Sequence, residues 1–326
     1  MRILLASCHQ YPVYGENGSG QQPKRYPSGS GYHIHDLLAR GLAKDGHEVL
    51  YYLPGGVEAA LPAGVHEVSS PLPDADIYHA PIAVEGFAPF IQDSARAHQR
   101  PCLFTCHKVE PGEAASNWVF VSRYHARAYG SERVILNGVD PDDLIFSETK
   151  DDYVLFMGAM DRAQEKGLDR ALALSKYAGL RLVVAGTGLN CETIIKVADF
   201  CAKFGAEYVG DVRGTRKAEL LAGARALLFP SRMTEGCPLI ILEAMFSGTP
   251  VISSPNGGTM EIVTPATGFI CDEDQEWLSA LDRLAEISPL RCREVAQERF
   301  HYRRMVGDYV REYRVEIARE QGKPIS

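Results

Sequence analysis

No apolar run in this chain approaches the ~20 residues that a membrane-spanning helix requires. Nor is there an excess of positive charge: 34 Lys and Arg stand against 42 Asp and Glu, a formal net charge of −8. That balance excludes the broad basic footprint of a nucleic-acid binder, so a phosphate-bearing ligand has to be met by a few local cations. The eight cysteines form no paired framework, which points to reduced thiols in a cytoplasmic protein. Cys102-x3-Cys106-His107 lacks the further ligand of a four-coordinate metal site, and reads as two small buried residues near a strand end. Two Gly-x-Gly turns, Gly29-Ser-Gly31 and Gly186-Thr-Gly188, lack the third glycine of the dinucleotide fingerprint. With no suitable acidic residue after them, a nicotinamide dehydrogenase is disfavoured. The short apolar run in Met1-Arg-Ile-Leu-Leu-Ala-Ser-Cys8 passes straight into polar residues, and is expected to be a first buried strand, not a leader.

What is present is an alternation of strand and helix signals long enough, at 326 residues, for two α/β domains. In the first half, residues 3–6, 49–53, 77–79, 102–105 and 119–121 are candidate strands. Residues 32–44 form an amphipathic helix with Ile34, Leu37, Leu38, Ala39 and Leu42 on one side, ended by Gly46. A strand–helix–strand unit of this kind implies a right-handed parallel crossover. Residues 14–30, rich in Gly, Ser, Pro and Gln, are long for a loop inside a compact domain, and are expected to be either mobile or functional. The polar stretch 140–152 is the expected linker.

The second half repeats the alternation, with strands at 153–157, 182–185, 207–209, 226–229 and 250–253. Helices are expected at 168–177, 191–204, 217–222 and 239–246, with a tail helix over 297–320. Met305, Tyr309, Tyr313 and Ile317 recur every four residues in that tail, which is the spacing of a packing face.

The segment most loaded with chemistry is Glu235-Gly-Cys-Pro-Leu-Ile-Ile-Leu-Glu243, after the apolar run Ala226-Leu-Leu-Phe-Pro230. Pro238 suits the first position of a helix, leaving the amides of Leu239 and Ile240 free to face an anion. Glu243 lies about 7–8 Å further along at the helical rise, roughly the span from a nucleotide's phosphate to its ribose. One element then holds phosphate at its tip and ribose hydroxyls at Glu243, while Glu235 meets a group beyond the phosphates.

Glu243-Ala-Met-Phe-Ser-Gly-Thr-Pro-Val-Ile252 and Pro255-Asn-Gly-Gly-Thr-Met-Glu-Ile-Val263 follow directly. Together these segments resemble the C-terminal signature of the retaining GT-B glycosyltransferases of family 4, also called group 1: a Glu-x7-Glu spacing, then EAM-x-x-G-x-P-V and G-G-x-x-E-I-V. The resemblance implies two Rossmann-like domains facing across a cleft, with a C-terminal helix crossing back to the first. The expected division is an acceptor-side domain at 1–145 with the returning helix at 303–326, and a nucleotide-sugar-binding domain at 151–302.

The implied activity is transfer of a hexose-type sugar from a nucleoside-diphosphate sugar to an acceptor hydroxyl, without a cofactor or metal. The implied acceptor is a sugar, glycoside or small molecule, and no nucleic acid is an expected partner. The resemblance assigns Glu235 to sugar hydroxyls, Glu243 to the ribose and Lys166 to the phosphates. The family carries an arginine where this chain has Ala159; Arg162, three residues on, is the candidate replacement. Gly31 and His107 are implied to contribute from the first domain, with His79 a runner-up for the histidine. Gly186, Gly210, Gly236, Cys237, Pro238 and Leu239 are implied to line the donor. Asn137-Gly-Val-Asp140 matches a family segment and reads as turn chemistry.

Two other classes stand beside this reading. A non-catalytic nucleotide-sugar binder is motivated by Ala159. A sugar-nucleotide epimerase of similar fold would need acid–base carboxylates in the first domain, for which Glu85 and Glu110 are the candidates.

Overall fold

Ile3, Leu4, Leu5 and Ala6 are all fully buried. A strand covered on both faces belongs in the middle of a parallel sheet, and that is where β1 (Arg2–Ala6) lies in this computed structural model. The structure describes residues 1–13, 30–82, 85–107, 112–188 and 190–322. They form two units: one from the described residues of 1–138 and 302–322, the other from those of 139–301.

In the first unit β1 leads to α1 (Ser30–Lys44), then β2 (Glu48–Tyr52), β3 (Val65–Val68), β4 (Ile77–Ile82), α2 (Phe87–Ala97), β5 (Cys102–Cys106), β6 (Trp118–Phe120) and α3 (Arg123–Ala128). The strands form one parallel sheet in the order β3-β2-β1-β4-β5-β6. Gly31 lies inside α1, as its second residue, and not in a turn feeding it. Gly29 and Glu110, and all but Ser30 of the long loop expected at 14–30, lie outside the described residues.

The second unit runs through β7 (Val154–Met157), α4 (Leu168–Tyr177), β8 (Leu182–Ala185), α5 (Cys191–Phe204), β9 (Glu207–Tyr208), α6 (Gly214–Gly223), β10 (Leu227–Phe229), α7 (Leu239–Phe246), β11 (Val251–Ser253), α8 (Thr259–Ile262), β12 (Gly268–Ile270), α9 (Asp274–Asp282) and α10 (Pro289–Phe300). Its parallel sheet has the order β12-β11-β10-β7-β8-β9. Val154, Phe156, Val184, Leu228 and Ile252 from its strands pack with Leu172 and Trp277 from α4 and α9 into one core. Residues 140–152 are pinned to this unit. Lys150 Nζ donates to Ala222 O at 2.8 Å, Ser247 O at 3.2 Å and Thr249 Oγ1 at 3.0 Å, and burial pushes its pKa down to about 8.

The expected single tail helix is two. His301 is extended (φ −65°, ψ 131°) and bridges to Val139, separating α10 from α11 (Tyr302–Glu320). Helix α11 belongs to the first unit, where Met305, Val306, Tyr309 and Tyr313 are buried. Gly41 of α1 admits it, because a Cβ there would sit 2.4 Å from Val306 Cγ2. Tyr313 Oη is 2.7 Å from His79 Nδ1, and Tyr309 Oη is 2.8 Å from Thr105 Oγ1.

Candidate functional site

In open parallel sheets ligands bind beyond the carboxyl ends of the strands. In the second unit that edge carries the loops after β7 and β10. The loop after β10 holds Ser231 and Glu235 before α7 begins at Leu239. The Glu235 backbone is fixed from the side by the Pro255–Gly258 turn: Gly258 N donates to Glu235 O at 2.7 Å, and Glu235 bridges Gly257. Gly257 has φ 69°, and a Cβ on it would lie 2.3 Å from Glu235 O, so only glycine fits. Asn256 Nδ2 donates to Ser231 O and ties the same turn to the start of the loop.

The Glu235 side chain is mostly buried, at 12% exposure. Its Oε1 accepts from Lys166 Nζ at 2.6 Å and from Ser231 Oγ at 2.7 Å. Lys166 arrives from the loop after β7. That loop can press against Pro230 because Gly167 follows with φ 79°; a Cβ there would be 2.1 Å from Pro230 O. The Lys166 ammonium also lies 5.9 Å from the centre of the Phe229 ring, a further attraction for a cation.

Pro238 is the residue preceding α7 (φ −68°, ψ 116°), not its first helical residue as expected. Its extended ψ matches the entry to a helix, so the chain turns one residue later. The consequence for the amides is unchanged: Leu239 and Ile240 occupy the first turn, where N–H groups have no intrahelical acceptor. Gly236 links Glu235 to the buried Cys237 and Pro238. Helix α7 is buried nearly all round, and Glu243 within it is 8% exposed. A carboxylate in such surroundings needs a cation, and Lys217 of α6 supplies it. The Lys217 ammonium lies 2.7 Å from Glu243 Oε1 and 2.6 Å from Oε2, aligned as a donor to Oε1. Lys217 and Ser231 escaped the sequence reading. Ser231 had a signal, its place just past a strand's carboxyl end; Lys217 had none, since its partner is on another helix.

Arg162 is placed differently. Its Nε donates to Glu165 Oε2 at 2.6 Å, its side chain is 50% exposed, and it lines a surface cavity of about 550 Å³ with Met160, Leu168, Val197 and Phe200. Ala159 precedes the short turn Met160–Arg162. Gly186 and Gly210 are brought together, Gly186 N donating to Gly210 O at 2.8 Å. A Cβ on Gly186 would fall 1.8 Å from Gly158 O, so this glycine lets the loops after β7 and β8 cross closely.

In the first unit His107 stands at the end of β5 against α1, and a Cβ on Gly31 would be 3.0 Å from its ring. His107 Nε2 is buried with no hydrogen-bond partner among the described residues. Burial, then the neighbouring His125, pushes its pKa down to about 4. His79 lies deeper and is fully engaged, by Tyr313 and by Thr105 at 2.8 Å, so its position is structural. Glu85 is exposed. Among the described residues no group of three His, Cys, Asp or Glu side chains is placed to hold a metal, and no helix is long and apolar enough to cross a membrane. All eight cysteines are free thiols.

Residues 151–286 match the family described as "Glycosyl transferases group 1". The chain is 31% identical over 123 residues to a GDP-mannose-dependent alpha-mannosyltransferase of Mycolicibacterium smegmatis, covering 36% of this chain and 30% of that protein. It is 29% identical over 113 residues to a GDP-mannose-dependent monoacylated alpha-(1-6)-phosphatidylinositol monomannoside mannosyltransferase of Corynebacterium glutamicum, covering 33% and 28%. The matches therefore span less than a third of those relatives' length. Among solved structures, AviGT4, a glycosyltransferase involved in Avilamycin A biosynthesis, superposes with a TM-score of 0.75 over 98% of both chains at 24% identity.

Proposed function

We propose that this chain, which has the GT-B fold and belongs through residues 151–286 to the group 1 glycosyltransferases, is a retaining glycosyltransferase that moves a hexose from a nucleoside-diphosphate hexose to an acceptor hydroxyl. The observation that carries the reading is the Lys166–Glu235 pair at 2.6 Å, set in the loops beside the amide-bearing start of α7, with Glu243 further along that helix.

In this reading the leaving diphosphate is met by Lys166 and by the amides of Leu239 and Ile240, which are in place before charge develops. Gly236, Cys237 and Pro238 form the wall of the same pocket, and Gly186 and Gly210 flank it. Glu243 accepts from the ribose hydroxyls and Glu235 from hydroxyls of the sugar. Arg162 joins the diphosphate by leaving Glu165, an exposed ion pair of the kind worth about 1 kcal/mol or less. The bond from the anomeric carbon to the diphosphate oxygen breaks. The acceptor oxygen bonds to that carbon on the same face, and its proton passes to the departing phosphate oxygen. No side chain is needed as base, and no metal is used, which chelation by EDTA tests. The site works in the cytoplasm on a sugar, glycoside or small-molecule acceptor.

Mannose is the first sugar to try, because both relatives above are named for GDP-mannose. The test is calorimetric titration with GDP-mannose, GDP-glucose, UDP-glucose, UDP-galactose and the free diphosphates, followed by an acceptor screen. Binding of one donor, lost in Glu243→Ala, with transfer to an acceptor supports the reading. No binding by any member overturns it. Affinity with no transfer to any acceptor favours the binder that Ala159 motivates.

A further inference from the structure

Lys217 is the fourth residue of α6. A cation in the first turn of a helix opposes the helix dipole, so the stability of α6 does not account for it. Two other cations at the same helix end find partners close in sequence. Arg213 pairs with Asp211 at 2.8 Å and Arg216 with Glu219 at 3.6 Å. Lys217 instead crosses to α7 and reaches both oxygens of Glu243, at 2.7 Å and 2.6 Å.

The surroundings make this pairing directional. Ile241, Leu242, Ala244, Met245 and Phe246 are all fully buried, so Glu243 is a carboxylate in a hydrocarbon setting. The Lys217 ammonium donates to Oε1 and also lies 2.6 Å from Oε2, so one cation holds both oxygens, and Oε2 has no other polar partner among the described residues. A buried carboxylate oxygen with an unused acceptor site is costly unless a ligand completes it. The Lys217 side chain is 26% exposed against 11% for Glu243, so the lysine forms the outer edge of the pair.

We propose that Lys217 is a positioning residue for nucleotide recognition: it grips Glu243 through Oε1 and turns Oε2 toward the 2′ and 3′ hydroxyls of the nucleotide ribose. The proposal rests on the donor reading above and adds to it a residue that acts through Glu243 and does not touch the phosphates. The ribose hydroxyls and the ammonium then share one carboxylate, the hydroxyls taking the acceptor capacity of Oε2 that the ammonium leaves unused.

The test compares GDP and UDP with their 2′,3′-dideoxy counterparts by calorimetry, in the wild type and in Lys217→Met, Lys217→Arg, Glu243→Gln and the Lys217→Met/Glu243→Gln double variant. Lys217→Met is expected to weaken the preferred diphosphate about tenfold, the effect of a lost charged hydrogen bond. The dideoxy form should change by less than about twofold, because only the ribose contact is lost. Lys217→Arg should retain most of the affinity. The double variant should bind about as Glu243→Gln does, since the two residues act as one unit. It also replaces the ion pair by a neutral pair, and so keeps the comparison open if Lys217→Met alone does not fold.

Equal losses for ribose and dideoxy ligands would overturn the proposal and make Lys217 a phosphate contact or a prop of the whole pocket. Unchanged affinity in Lys217→Met would also overturn it. The donor reading fails separately, and the inference with it, if the wild type binds neither diphosphate. If the wild type binds ribose and dideoxy forms equally well, the ribose role of Glu243 falls while a phosphate site stands.

Discussion

Lys166 Nζ and Glu235 Oε1 lie 2.6 Å apart, joining a lysine from the loop after β7 to a glutamate from the loop after β10. The cation assigned to the diphosphate and the carboxylate assigned to the sugar thus neutralise each other before any ligand arrives. The arrangement spares two mostly buried charges from standing alone, and under the proposed function it sets a competition: a diphosphate bound at Lys166 must draw it partly away from Glu235.

That competition makes the two residues separable. Glu235→Gln should leave nucleoside-diphosphate affinity unchanged or raise it a few-fold, because Lys166 is released, while transfer falls by about 100-fold or more with the loss of a contact at the reacting sugar. Lys166→Ala should weaken diphosphate binding itself. Titration of both variants with the free diphosphate, beside initial rates, checks this. If Glu235→Gln lost diphosphate affinity as far as Lys166→Ala does, the division of roles would be wrong.

Gly257 is the second lever on Glu235. Its φ of 69° and the 2.3 Å from a virtual Cβ to Glu235 O mean that alanine must push the Glu235 backbone away. Gly257→Ala is expected to cost about 1–3 kcal/mol in stability and to depress transfer more than diphosphate binding. A thermal melt with donor titration reads both. Wild-type transfer in a normally folded Gly257→Ala protein would remove the turn from the machinery.

The legible parts of this molecule are those where one stretch of chain carries the whole message. Helix α7 could be bounded at Leu239–Phe246 from its apolar run, and the central strands from their unbroken burial on both faces. Strand β3 was missed because, at the sheet edge, it buries only Val65 of its four residues. Helix α2 was missed because it buries only Ile91 and Ala95, too narrow a stripe to read as amphipathic. The break at His301 was hidden because helical spacing runs on either side of it. At the site, Glu235, Glu243 and Lys166 stand in motifs with fixed spacing. Lys217 does not, since its meaning lies in Glu243, 26 residues away on another helix. The orientation of Arg162 toward Glu165 is likewise a matter of rotamer, not of pattern.

Acid should destabilise the first unit before the second. His35 is fully buried, with neither ring nitrogen hydrogen-bonded among the described residues, and burial holds its pKa well below 6.5. Burial, then the neighbouring His107, pushes His79 down to about 3, and His107 itself is near 4. Each is neutral when folded and takes up a proton near pH 6.5 when unfolded. Their contribution is therefore complete above about pH 6.5, and is lost as pH falls toward the folded values. Nine of the ten histidines lie in the first unit, His301 being the exception. The two tryptophans separate the readouts, Trp118 in the first unit and Trp277 in the second. Urea midpoints followed in Trp277→Phe, where Trp118 reports, should fall between pH 7 and 4.5 faster than those in Trp118→Phe. Parallel declines would mean that the buried histidines do not set the acid limit.

The attachment of α11 to its sheet can be tested at a single oxygen. Tyr313 Oη meets His79 Nδ1 at 2.7 Å, and the other ring nitrogen meets Thr105 Oγ1 at 2.8 Å. Thr105 in turn is 2.8 Å from Tyr309 Oη. All four side chains are buried, so the chain of contacts is closed to water. Tyr313→Phe keeps the ring and its packing but strands one nitrogen of His79, at a cost of about 1–3 kcal/mol for an unsatisfied buried group. Adding His79→Phe removes the stranded group, so the double variant should recover part of that loss, although its shape differs from imidazole. Chemical denaturation of Tyr313→Phe, His79→Phe and the double variant, read at Trp118, gives the coupling energy. A cycle with no coupling would mean that the Tyr313–His79 contact contributes nothing to the attachment of α11, leaving it to the apolar stripe of Met305, Val306 and Tyr309 and to ion pairs such as Arg133 with Glu316.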